Sequence, residues 1–186
     1  MRNSVSPAVA PTPTRLFALD AAPLASAAQA MRISVSAGVG RGPTPLAAFD
    51  AALMAAGIHD YNLIPLSSVI PPGAVLERRP HVAPPEDYGR RLYVVLAHET
   101  AVDEGANAAA GLGWVREPGD GRGLFVEAHG SSEDEVRRLI DRTLEAMTAA
   151  RGREYGRVES ELVSAECTGE PVCALVTAVY ASVPWE

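Results

Sequence analysis

The chain has 186 residues, enough for one compact domain with a real core. It is 47% hydrophobic and 21% charged, an ordinary globular balance, but only 5% aromatic, so small side chains supply much of the packing. The formal net charge of −7 argues against nucleic acid as a partner, because duplex binding needs basic residues to neutralise phosphates; it suits a cationic small molecule. Two cysteines, Cys167 and Cys173, make no disulfide framework and point to a reducing, cytoplasmic setting. No apolar run reaches the roughly 18 residues needed to span a bilayer, so no membrane partner is expected.

Residues 1–30 are rich in Ala, Pro, Ser and Thr without a sustained period, and read as a disordered or variable N-terminal extension. The alternative is a short helix over 15–30 that docks on a partner subunit. One domain is expected over 31–186. Ile33–Ser36 alternates apolar and polar and predicts a strand. A glycine-rich loop is expected over Ala37–Gly42. Thr44 is a good N-cap and Pro45 a good first helical residue, with the helix running to Ala56 and Gly57 as its stop. Asn62–Leu66 reads as a short strand, and Pro71-Pro72-Gly73 ends regular structure. A loop is expected over 77–90 and a buried strand over Leu92–Ala97.

Trp114–Glu117 and Gly123–Ala128 predict a strand pair around Pro118-Gly119-Asp120-Gly121. Ser131 or Ser132 caps a long helix, with Glu133, Asp134 and Glu135 favouring its N-terminal dipole. Val136, Leu139, Ile140, Leu144 and Met147 form its predicted buried stripe. Two strands close the chain, near Arg157–Glu166 and Val172–Val183. Cys167 and Cys173 flank the turn between them and are placed to face each other as core or rim thiols. The order of elements suggests a duplicated α+β unit.

One segment carries chemistry: Asn62-Leu63-Ile64-Pro65-Leu66-Ser67-Ser68-Val69-Ile70-Pro71-Pro72-Gly73. A bare serine pair between a strand and a proline stop is usually a polar turn. The combination Asn-Leu, Ser-Ser, Pro-Pro-Gly is far more specific. It resembles the cleavage site of the pyruvoyl-dependent arginine decarboxylases, and the resemblance extends over about 32–186. Ser34–Gly42 with Pro43-Thr44-Pro45, the helix to Ala56 and Gly123–Gly130 support it.

The resemblance implies a four-layer α/β/β/α sandwich with mainly antiparallel sheets, an α+β fold that assembles as a trimer or larger homo-oligomer. It implies self-cleavage into 1–67 and 68–186. A pyruvoyl group must come from a serine. The Ser68 hydroxyl attacks the Ser67 carbonyl and turns the amide into an ester. Loss of the Ser68 α-proton expels the Ser67 carboxylate and leaves dehydroalanine, whose hydration releases ammonia and leaves a ketoamide. The attack creates an oxyanion that needs a fixed donor, for which Asn62, six residues before Ser68, is the candidate. The competing reading of Asn62 is a turn cap.

The resemblance further implies conversion of L-arginine to agmatine and carbon dioxide through a Schiff base with that covalent pyruvoyl cofactor. A general acid must then protonate the α-carbon. Glu127, in Leu124-Phe125-Val126-Glu127-Ala128-His129-Gly130, matches the family's glutamate; partial burial is expected to raise its pKa. His129 is the rival acid. For the guanidinium, the resemblance points to Asp50, with Leu46 and Leu53 lining the pocket; the three share one helix face at i, i+4, i+7. If the enzyme is oligomeric, this helix is expected to serve a site shared between neighbours.

Other signals fall away. Gly38, Gly40 and Gly42 are spaced G-x-G-x-G rather than as a dinucleotide loop, and suit instead a turn beside a substrate pocket. The four histidines have no metal-ligand spacing, so no metal is expected. Neither serine sits in a Gly-x-Ser-x-Gly elbow. Two rivals stay open: a pyruvoyl enzyme for another amino acid, and an unprocessed, non-catalytic oligomeric relative.

Overall fold

A computed structural model describes residues 30–186, so both readings of the N-terminal segment fall outside the described residues. The elements in order are β1 (Arg32–Arg41), α1 (Pro45–Ala56), β2 (Asn62–Pro65), β3 (Val69–Ile70), β4 (Val75–Arg78), β5 (Arg91–Ala101), β6 (Asn107–Arg116), β7 (Gly123–Gly130), α2 (Glu133–Arg151), β8 (Glu159–Glu166) and β9 (Val172–Val183). The strands form two sheets, ordered β2-β5-β9-β1-β4 and β3-β7-β6-β8. Pairing is antiparallel except for the edge pairs β1–β4 and β2–β5. The fold is therefore α+β with mainly antiparallel sheets, as expected.

Period-two alternation sorts each strand between two apolar clusters. Along β9, Val172, Ala174, Val176 and Ala178 join a cluster that also takes Leu112 and Trp114 of β6 and Phe125 of β7, so it fills the space between the sheets. Cys173, Leu175 and Val179 face the other way, against Ala48, Ala52 and Ala56 of α1. A third cluster joins Val136, Ile140 and Leu144 of α2 to Leu124, Val126 and Ala128 of β7.

Both helices rest on glycine. The expected glycine-rich loop over 37–42 is instead the second half of β1, hydrogen-bonded in register with β9 through Arg41. Its glycines face α1: a Cβ on Gly40 would lie 2.1 Å from Ala52 N and 2.4 Å from Ala48 O. The alanine face of α1 lies directly on backbone, and Ser36 Oγ donates to Ala56 O at 2.9 Å. Across the molecule, a Cβ on Gly113 would meet Ile140 Cγ2 at 2.0 Å. These glycines set the helix-to-sheet distance; they do not line a turn beside a pocket.

The helix ends follow their sequence signals. Thr44 Oγ1 accepts from Ala47 N, and Gly57, at φ 80°, donates to Met54 O. Ser132 Oγ accepts from Glu135 N, while Glu135 reaches back to Ser131 N. Three other expectations need correction. Leu139 is exposed, because Val136, Ile140 and Leu144 at i, i+4, i+8 already define the buried stripe. The loop over 77–90 begins inside β4 and holds a 3-10 turn at Pro85–Asp87. Cys167 and Cys173 do not face each other: one lies between the sheets and the other against α1.

Candidate active site

The serine pair sits where the chain crosses between sheets. β2 is an edge strand of the first sheet and β3 an edge strand of the second, with 66–68 spanning the gap. Leu66 N donates to Val94 O at 2.9 Å, which ties the near side to β5. Ser68 O accepts from Phe125 N at 2.8 Å, which ties the far side to β7. Ser67, between these anchors, is exposed, whereas Ser68 is buried.

Ser68 has φ 65° and is the only non-glycine residue with positive φ among the described residues. Left-handed backbone costs an L-residue about 1–2 kcal/mol, and strain held in this way marks functional positions. Here the turn aims the side chain: Ser68 Oγ donates to Glu127 Oε1 at 2.5 Å. The following turn is pinned separately. Gly73 N donates to Asp120 O, and the Arg116 guanidinium bridges Ala74 O and Gly121 O at 2.6 and 2.7 Å.

Glu127 shares a β7 face with Phe125 and His129. Phe125 is the last of the three inside the inter-sheet cluster. Glu127, beyond it, is exposed in the single chain, so the partial burial expected for it is not found. His129 does not contact the serine pair; its Nδ1 lies 2.6 Å from Glu99 Oε2 on β5. Asn62 does not reach the pair in this conformation either. It is exposed at the start of β2, and its Nδ2 donates to Gly89 O at 2.7 Å.

Asp50, Leu46 and Leu53 lie together on the margin of α1, around a shallow depression that Phe49 also lines. Leu46 is 75% exposed and Asp50 is exposed, while Leu53 is buried. The buried face of the helix is its alanine row, which leaves Asp50 in water at no desolvation cost within one chain. This group occupies the outer side of the first sheet, whereas Ser68 and Glu127 occupy its inner side.

One site residue has no sequence signal. Tyr180, inside the apolar run of β9, donates its hydroxyl to Val69 O at 2.9 Å. Its ring stands edge-on to Phe125, with centroids 6.4 Å apart. Burial, and then the charge of Glu127, raise the phenol pKa. Only the period-two register, which turns residue 180 toward the second sheet, could have hinted at this.

Fold and site together define an α+β protein with a strained, buried serine hydroxyl held against a carboxylate at the crossover between two sheets. The profile of the family described as "Pyruvoyl-dependent arginine decarboxylase (PvlArgDC)" matches residues 32–183. Proteins named pyruvoyl-dependent arginine decarboxylase from two strains of Halobacterium salinarum are each 39% identical over 134 residues, covering 67% of this chain and 78% of theirs. The chain belongs to the pyruvoyl-dependent arginine decarboxylase family, carboxy-lyases that depend on a covalently bound pyruvoyl group. Ser68 fits the origin of such a group, being, among the described residues, the one hydroxyl on left-handed backbone and aimed at a carboxylate. Among the described residues, no helix is long and apolar enough to cross a membrane.

Proposed function

We propose that the chain cleaves itself between Ser67 and Ser68 and then converts L-arginine to agmatine and carbon dioxide. The observation that carries this reading is the contact between Ser68 Oγ and Glu127 Oε1. A serine hydroxyl attacks an amide only as it loses its proton, and a carboxylate at hydrogen-bond distance can take it. Glu127 therefore serves first as the base of self-cleavage. In turnover it returns as the acid that protonates the substrate α-carbon, because removal of the Ser68 hydroxyl leaves its oxygen facing the reacting centre. The pyruvoyl group made from Ser68 supplies an electrophilic carbonyl that binds the substrate amine as a Schiff base and draws off the electrons of the departing carboxylate.

Asn62 remains the candidate amide donor for the oxyanion of cleavage, a role in which it exchanges Gly89 O for the Ser67 oxygen. Asp50 binds the guanidinium by a charge-assisted pair, and Leu46 and Leu53 flank the methylenes. Their position across the first sheet from Ser68 favours a site completed by a second copy, in a trimer of cleaved protomers. The acidic net charge supports a cationic substrate. The test is intact-mass analysis of purified protein with carbonyl-reagent labelling. Two fragments divided after Ser67, with the label on residue 68, are expected. An uncut chain that still releases carbon dioxide from arginine would overturn the reading.

A further inference from the structure

β3 is two residues long and lies at the edge of its sheet, paired through Val69 and Ile70 with Leu124 and Gly123, with one further backbone bond from Phe125 N to Ser68 O. Before cleavage its N-terminal side is held by the link through Ser67 to Leu66, which is bonded to β5. Cleavage at Ser67–Ser68 removes that link and turns residue 68 into a chain end. Two-residue edge strands with a free end fray, since few backbone bonds oppose the entropy of release. Ile70 is fully buried, but Val69 is 55% exposed and contributes little by packing. Beside the packing of Ile70 between the sheets, a hydrogen bond reaches β3 from the opposite sheet, the Tyr180 hydroxyl on Val69 O.

We infer that Tyr180 is a positioning residue of the cleaved enzyme, its hydroxyl holding the new chain end at residue 68 beside Glu127. The inference rests on Ser68 being the pyruvoyl precursor. The geometry suits the task. The phenol reaches across from β9, which pairs on both sides with β1 and β5 over Val172–Val179; Tyr180 is the residue left unpaired where the β5 register shifts, and its neighbours Val179 and Ala181 are held to Val94 and Tyr93. Its ring is fixed against Phe125, the residue whose N–H holds Ser68 O. A phenol is protonated, hence a donor, across the neutral range, and burial and the nearby carboxylate extend that range upward. Tyr180 acts on the residue after the reactive one and needs no contact with substrate.

The test is Tyr180→Phe, which removes one oxygen and keeps the ring, compared in two backgrounds: the fully cleaved enzyme and the uncleavable Ser68→Ala chain. In the cleaved variant, amide exchange in β3 is expected to speed up about fivefold, the weight of one neutral hydrogen bond. Its kcat is expected to fall by a similar factor, with KM for arginine unchanged within twofold. In the Ser68→Ala background, where the link through Ser67 persists, exchange in β3 should change less than about twofold. Unchanged exchange and kcat in the cleaved form would overturn the inference, and so would equal acceleration in both backgrounds, which marks a general structural bond. Failure of the parent chain to cleave is a separate result, and sinks the assignment of Ser68 instead.

Discussion

Glu127→Gln tests the central contact most directly. Glutamine keeps the shape and can still accept from Ser68 Oγ, but it cannot take the proton. A hydrogen bond to a charged group contributes about 1.5–3 kcal/mol. Because Glu127 is exposed in the single chain, solvent screens the pair and the lower end applies. About 1.5 kcal/mol corresponds to roughly tenfold in rate. Self-cleavage is therefore expected to slow about tenfold, with water replacing the lost base. In turnover the loss is larger, about 10²-fold or more, since a positioned general acid contributes that much. The assays are a gel time course on freshly made chain, then carbon dioxide release per cleaved active site. Turnover within threefold of the parent would remove Glu127 from the mechanism. A cleavage rate unchanged beside a slow turnover would confine it to the second reaction, the role the sequence alone assigns.

Asp50→Ala removes an exposed carboxylate, so the melting temperature should hold while KM for arginine rises about 10- to 100-fold, the weight of a charge-assisted pair. Preference over neutral amino acids should vanish; unchanged selectivity would defeat the pocket assignment. Gly40→Ala places a methyl against the backbone of Ala48 and Ala52, which no rotamer change relieves. Overpacking of about 1–3 kcal/mol should lower Tm by roughly 3–10 °C in a thermal melt, and an unshifted Tm would show that α1 does not rest there. Tyr61, desolvated and bonded to Asp87, has its pKa pushed up to about 12, and Tyr180 is raised as well. For both, the folded state holds the proton more tightly than the unfolded chain. Their stabilisation is present in full below pH 10, the ordinary tyrosine value, and fades as pH rises through the folded values. Absorbance titration should show Tyr61 and Tyr180 ionising late, and loss of that late phase would contradict the burial.

The sequence revealed most where one residue type has one local job. Thr44, Pro45 and Gly57 bracket α1 because caps are decided within a few residues. The serine pair stands out for the same reason: its motif is confined to one short segment, Asn62–Gly73. Glycines misled, since Gly38 and Gly40 look identical whether they free a loop or admit a helix against a strand, and only α1 decides. β6 was half missed, because Asn107-Ala108-Ala109-Ala110-Gly111 has no β-branched residue; its strand character comes from pairing with β7 and β8 on either side. β3 and β4 were too short to carry a period. The Tyr180–Val69 bond joins residues 111 positions apart and depends on how two sheets stack, which no local pattern encodes.

The crossover at 66–68 has one more outcome. Severing it does not divide the molecule along the seam between its sheets. The shorter piece would keep β1, α1 and β2, yet β1 is threaded between β9 and β4, and β2 borders β5, all three belonging to the longer piece. The two polypeptides would thus stay interleaved like fingers of clasped hands, and parting them would mean opening a sheet from within. Once opened, reassembly becomes a meeting of two molecules, so a nicked enzyme that melts should refold less readily the more dilute it is.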